Sequence, residues 1–392
     1  MSVPEFRIRI VDDLTTVDAV AWSKLAGAGR DGVGTPYNPF LSHPFLSALE
    51  TSKSAVAETG WLPQHLLLED GAGELYAALP CYLKNHSQGE YVFDHAWADA
   101  WHRAGGRYYP KLQCSVPFTP ATGPRMLVRD DVDATSARAA LAEGLKTLAD
   151  ERNVSSAHVT FAKETDISAL TAAGYLHRTD QQFHFTNDGY SQYQDFLDTL
   201  SSRKRKNLKK EREAALGNGI SVDYLRGADI TAEAVDRFYE FYLDTGARKW
   251  GRPYLTRSFF ETICDTMAED IVLIMAKRED RYIAGAINFI GGDTLFGRHW
   301  GCLEHHRFLH FEVCYHQAID FAIAHGLKTV EAGAQGEHKL ARGYLPVTTH
   351  SAHWIPHEGF RSAITDYLDH EREEVARFGE VLKGHAPFRK SA

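Results

Sequence analysis

A chain of 392 residues, 44% hydrophobic and 24% charged, has an ordinary globular composition and exceeds the size that one hydrophobic core usually supports, so two domains are expected. A formal charge of -9 argues against a general nucleic-acid coat, although a local basic patch remains compatible with it. Five cysteines without CxxC spacing, an N-terminus lacking a long apolar stretch and the absence of any run of about 18 apolar residues predict reduced thiols, a cytoplasmic protein and no membrane span.

In chain order, Leu66 to Leu68 and Leu75 to Leu83 read as an antiparallel strand pair around a turn from Glu69 to Gly73. A long segment from Asn85 to Pro124, rich in Trp, Tyr, Gly and Pro, reads as irregular. Ala134 to Arg152 has the periodicity of an amphipathic helix, Ala157 to Phe161 that of a buried strand, and Asp166 to Ala173 that of a short helix stopped by Gly174.

Thr186 to Gly189 is short, polar and turn-like, and is taken as the domain boundary. A helix follows, with Ser201 or Ser202 as its cap and Gly217 to Gly219 as its stop. Between Arg203 and Arg212 seven of ten residues are basic. Such density repels itself at i,i+4 spacing, and a phosphate-bearing ligand relieves that repulsion. Arg203, Lys204 and Arg205 are therefore candidate donor-binding groups.

Farther on, Ile283 to Ile290 and Thr294 to Trp300 read as strands, Phe311 to His325 as a helix ending at Gly326, and Lys328 to Ala332 as a strand. The loop after it reads EAGAQGEHK, Glu331 to Lys339, and gathers titratable side chains at the carboxyl end of a strand, where α/β sheets collect ligands. A last helix is expected from Phe360 to about Lys383.

An internal repeat supports duplication. GYLHRTDQQFHF from Gly174 aligns without gaps with GYLPVTTHSAHW from Gly343, keeping Gly, Tyr, Leu, Thr, His and a final aromatic. The expected organisation is an α/β domain over 1–185, a second over 186–358 beginning with the basic helix, and a helical tail over 359–392.

The phrases GEYVFDHAWADAW, YYPKLQCSVPFTPATGPR, SSRKRKNLKKERE, KWGRPYLT and HFEVCYHQAIDFAIAHGLKTVEAGAQGEHK resemble bacterial predicted N-acyltransferases, the FemAB-like peptidoglycan biosynthesis or recognition proteins of the GCN5-related acetyltransferase (GNAT) superfamily. The resemblance runs from about Phe40 to Ile355 and implies tandem GNAT-like domains with mixed sheets that transfer an acyl group to an amine. The donor it implies is acyl-CoA, as a co-substrate rather than a tightly bound cofactor, or charged tRNA, and the acceptor a small-molecule or peptide amine. One departure bears on the donor. GNAT enzymes usually hold a pyrophosphate on a Gly-rich segment, whereas the corresponding LEHHRFLH, Leu303 to His310, has no glycine.

Acyl transfer to an amine needs a base near neutral pKa, a donor for the carbonyl oxygen and cations for the phosphates of the donor substrate. Glu331, Glu337 and His338 are the base candidates. Substrate or donor contacts are expected from Lys339, from Lys249 and Trp250 in KWGRPYLT, from Arg298 and Trp300 in GRHW, and from Asp94 and Tyr108 among the aromatics of the first domain. No cysteine and histidine spacing fits a zinc site, so no metal is expected. The alternative from another class is a non-catalytic protein that recognises peptidoglycan precursors or anionic ligands on a decayed transferase fold.

Overall fold

The structure is a computed structural model that describes residues 6–27, 35–250, 253–333 and 336–389, with side chains of 247–250 outside the description. The chain divides into two compact units, Met1–Asp180 with Thr348–Arg377, and Gln181–Val347 with Phe378–Ala392.

In the first unit, strands Arg7–Val11, His65–Glu69, Leu75–Leu79 and Leu127–Val128 form one antiparallel sheet, with Leu66 opposite Leu79 as the apolar alternation predicts. A second, mixed sheet runs Trp61–Pro63, Tyr82–Lys84, Lys111–Cys114, Ala157–Thr160 and then Ser351 to Trp354. Lys111–Cys114 and Ala157–Thr160 are parallel, and helix Ala134–Glu151 makes part of the crossover between them. Leu141, Leu145 and Leu148 of that helix line its buried stripe.

Within the second unit, strands Ile220–Leu225, Ile271–Arg278, Arg281–Gly291 and Thr294–Cys302 are successively antiparallel. The last of these pairs in parallel with Thr329–Glu331, and the crossover between them is helical over 309–324. Thr329–Glu331 is closed on its other side by the antiparallel residues His184 to Thr186.

Both units therefore repeat one order: antiparallel strands, a parallel pair with a helical crossover, and a closing antiparallel strand. The closing strands are the two stretches that align in the sequence, Leu176–Thr186 after Gly174 and Leu345–Trp354 after Gly343, and both glycines adopt φ 87°. Their shared histidine keeps one place in the order, with His184 opposite Glu331 and His353 opposite His158.

Two expectations change. The chain passes between units at 180/181, 347/348 and 377/378, so the linear partition 1–185, 186–358 and 359–392 gives way to an interlaced one. The cause is that each closing strand lies next in sequence to the other unit. The segment from Asn85 to Pro124 is also not irregular throughout, because it contains helix His95–Arg103 and strand Lys111–Cys114. That strand buries Lys111 and Gln113, polar side chains that disguise it. The last helix spans Glu358–Gly384. No helix among the described residues is long and apolar enough to cross a membrane.

Candidate active site

The second unit places its chemistry where its parallel pair parts. Thr294, Leu295 and Phe296 pair with Thr329, Val330 and Glu331, and then Thr329–Glu331 ends while Thr294–Cys302 continues. Leu295 and Val330 belong to the helix-side core, so Phe296 and Glu331 face the opposite side. Among the described residues, the strand continues from Gly297 to Cys302 past the end of its parallel partner. Asn288 pairs with Gly297 and Ile287 with His299, so Arg298 is the extra residue of a bulge at this parting. A Cβ on Gly297 would lie 3.3 Å from Asn288 Oδ1 and 3.5 Å from the Glu331 carbonyl oxygen, so glycine keeps the diverging strands close.

Glu331 ends its strand nearly buried, with Oε2 3.9 Å from Nε2 of His184. Its chain then turns through Gly333 and Gly336, at φ 82° and 122°, into a 3-10 turn Glu337–Arg342. Ala334 and Gln335 lie outside the described residues.

That turn separates three neighbouring residues by environment. Glu337 is exposed. His338 is also exposed, but its Nε2 lies 2.9 Å from the Tyr315 hydroxyl and its ring packs near Phe311 and Tyr315 at 5.5 and 5.6 Å. Lys339 is turned inward, 1% exposed, and its Nζ donates to the Gly333 carbonyl at 2.8 Å. Burial lowers the Lys339 amine to about 7, opposed by Cys314 and assisted by the Arg298 guanidinium. Lys339, Arg298 and Cys314 are thus brought together at the parting of the strands.

Tyr315 owes its place to a π-helical turn, Glu312–His316, inside the crossover. Trp300, half-buried with its ring 5.3 Å from that of His310, borders a cavity of about 230 Å³ that also touches Thr245, Cys302 and the 303–310 loop. Phe308 in this loop holds a left-handed φ of 65°. Among the described residues no group of three or more His, Cys, Asp or Glu side chains is arranged to hold a metal ion. The side chains of Lys249 and Trp250 lie outside the described residues.

The basic helix spans Ser202–Ala215 and is not uniform. Arg203 is exposed, Lys204 is half-buried, and Arg205 pairs with Asp198 at 2.9 Å. At the other end Arg212 is drawn inward, bonding Glu312 at 2.8 Å and Asp320 at 2.6 Å over the Tyr193 ring. Glu211, one position earlier, also points inward, to Arg342 and His316.

In the first unit Asp94 and Tyr108 sit together, the Tyr108 hydroxyl donating to Asp94 Oδ2 at 2.7 Å. Their surroundings are buried and ionic. Lys111 bonds Asp94 and, at 2.7 Å, Glu90, while His158 and His353 meet Nδ1 to Nδ1 at 2.7 Å. Burial alone would raise the Asp94 carboxyl, but the Lys111 ammonium holds it well below the usual carboxylate range. Asp94 therefore has an internal lysine as its cationic partner. Sequence reading missed Lys111, Tyr315, Glu211 and Arg342. The available signals were a lone carboxylate in the basic run, at Glu211, and an arginine one turn after His338.

Residues 13–390 match the FemAB-like family model, described as peptidoglycan biosynthesis/recognition. No curated protein matches the sequence. Among solved structures, FemX is 14% identical with a TM-score of 0.52, covering 92% of this chain and 100% of that one. L-PGS from Bacillus licheniformis is 10% identical with a TM-score of 0.50, covering 86% and 98%. The C-terminal domain of a putative lysylphosphatidylglycerol synthetase from Agrobacterium fabrum is 9% identical with a TM-score of 0.50, covering 82% and 97%. Identities this low carry the fold alone, here the duplicated GNAT-like α/β arrangement. The match across nearly the whole length places this chain in the FemAB-like family.

Proposed function

We propose that this chain transfers an acyl or aminoacyl group from an activated, phosphate-bearing donor to a primary amine of a peptidoglycan precursor. The observation that carries this reading is the Lys339 amine, buried at the parting of the parallel strands and lowered to about 7, with His338 next to it in sequence. Strongly shifted groups cluster at sites that move protons. An amine attacking a carbonyl gains positive charge as the bond forms, and an uncharged lysine nearby does not repel it. His338, exposed and within hydrogen-bond distance of the Tyr315 hydroxyl, takes the proton in this reading. Backbone N–H groups of the strand that continues past Phe296, where its parallel partner ends, serve the developing oxyanion. Arg203 and Lys204 at the start of the basic helix receive the phosphates of the donor.

The donor we favour is an aminoacyl ester of tRNA. The 303–310 loop has no glycine, and its left-handed residue is Phe308, so it differs from a glycine-built pyrophosphate cradle. Calorimetry with coenzyme A and with charged tRNA tests this choice. Tight, salt-sensitive binding of charged tRNA and none of coenzyme A is the expected result. The reverse would move the reading to an acyl-CoA donor. Precursor binding without turnover of either donor would leave a recognition protein instead.

A further inference from the structure

His338 is held from two directions. Its ring meets Tyr315 through Nε2, and its backbone carbonyl accepts a hydrogen bond from Arg342 Nη1 at 2.7 Å. The same guanidinium grips Glu211 with Nε and Nη2, at 2.8 and 2.7 Å, and lies 3.5 Å over the Phe311 ring centroid. Arg342 is 6% exposed, so this fork is fixed in a buried setting.

Glu211 is fixed in turn. His316 Nε2 lies 2.9 Å from Glu211 Oε1, and His316 Nδ1 lies 2.7 Å from the Tyr193 hydroxyl. A carboxylate only accepts, so His316 donates from Nε2, and its Nδ1 accepts the Tyr193 proton in the neutral ring. Burial would raise the Glu211 carboxyl, but its His316 and Arg342 hydrogen bonds hold it below its ordinary value, which keeps the anion in place. The π-helical turn supplies Tyr315 to the ring of His338 and His316 to Glu211 from consecutive positions. A buried ion pair by itself adds little net stability. The third bond of Arg342, onto the His338 carbonyl, gives this pair a direction that packing alone does not require.

We infer that Glu211 and Arg342 are positioning residues for His338, the pair anchoring the 337–342 turn to the helix Ser202–Ala215 so that the imidazole is held against Tyr315. The inference rests on the proposed proton-accepting role of His338 for its consequence in catalysis, and on the hydrogen bonds alone for its structural content. Arg342→Lys keeps the charge and loses the planar fork, while Glu211→Gln keeps the shape and loses the charge.

The test is two-bond nitrogen-15 spectroscopy of the histidine rings in the full chain, with the His338 signal assigned by its loss in His338→Gln. The wild type should show one His338 tautomer almost exclusively. Both variants should show mixed tautomers and broadened signals, whereas Lys209→Gln, on the exposed face of the same helix, should leave the signal unchanged. Where turnover is measured, kcat should fall about 10- to 100-fold with KM nearly constant. Melting temperature is followed in parallel, and Arg342→Lys carries the test if Glu211→Gln does not fold. Unchanged His338 signals in a folded Arg342→Lys protein overturn the inference. Altered His338 signals in the variants, with a wild type that transfers nothing, would instead retain the positioning and remove the transferase reading.

Discussion

Replacing Lys339 with methionine should stabilise the protein at neutral pH while impairing its activity. The Lys339 amine falls from an ordinary 10.5 to about 7 because burial disfavours its charged form. At about 1.4 kcal/mol per pH unit, that interval corresponds to about 5 kcal/mol of stability withheld below pH 7. The sign follows from proton counting. Between pH 7 and 10.5 the unfolded lysine binds a proton that the folded one lacks, so stability rises with pH through this window and the deficit disappears above it. Methionine has no charge to desolvate, but it leaves the Gly333 carbonyl without its 2.8 Å donor, a loss of about 1–3 kcal/mol. Lys339→Met should therefore be about 2–4 kcal/mol more stable at pH 7, and its advantage should shrink by about 3 kcal/mol by pH 9.5. Urea unfolding of both proteins at the two pH values measures this. Parallel stability curves for the two proteins would refute a buried neutral lysine.

His338→Gln should lower turnover about 100-fold at neutral pH with little change in melting temperature, since the side chain is exposed. Arg203→Ala with Lys204→Ala should weaken charged tRNA and flatten the salt dependence of its binding, measured by calorimetry at several salt concentrations. Lys111→Met should destabilise the first unit by about 3–5 kcal/mol, because it leaves Asp94 and Glu90 buried without their ammonium, and thermal unfolding reads this directly. The depressed Asp94 carboxyl stabilises the fold above its ordinary 3.8, and this contribution should fade as pH falls below that value.

Periodicity made much of the second unit legible. The strand, strand, helix, strand order from 281 to 331 follows from apolar runs that are buried on both faces or on one. The repeat beginning at Gly174 and Gly343 also marked two strands that do occupy equivalent places. What sequence did not reveal was which polar groups turn inward. Lys111, Arg212 and Lys339 carry no local sign of burial, and each is turned inward by a partner distant in sequence or, for Lys339, by the turn that folds back over Gly333. Within EHK, the three residues share one local pattern, and only the 3-10 turn separates exposed Glu337 and His338 from buried Lys339. The interlaced units were hidden for a similar reason, since strand partners in a sheet are chosen by tertiary pairing and not by proximity in the chain.

The central claim is tested most directly by incubating the protein with tRNA carrying a radiolabelled aminoacyl group and with amine-bearing peptidoglycan precursors, then measuring label in a base-stable amide. Amide formation is expected in the wild type, reduced about 100-fold in His338→Gln. Precursor bound at equilibrium with no amide formed from charged tRNA or acyl-CoA would contradict it.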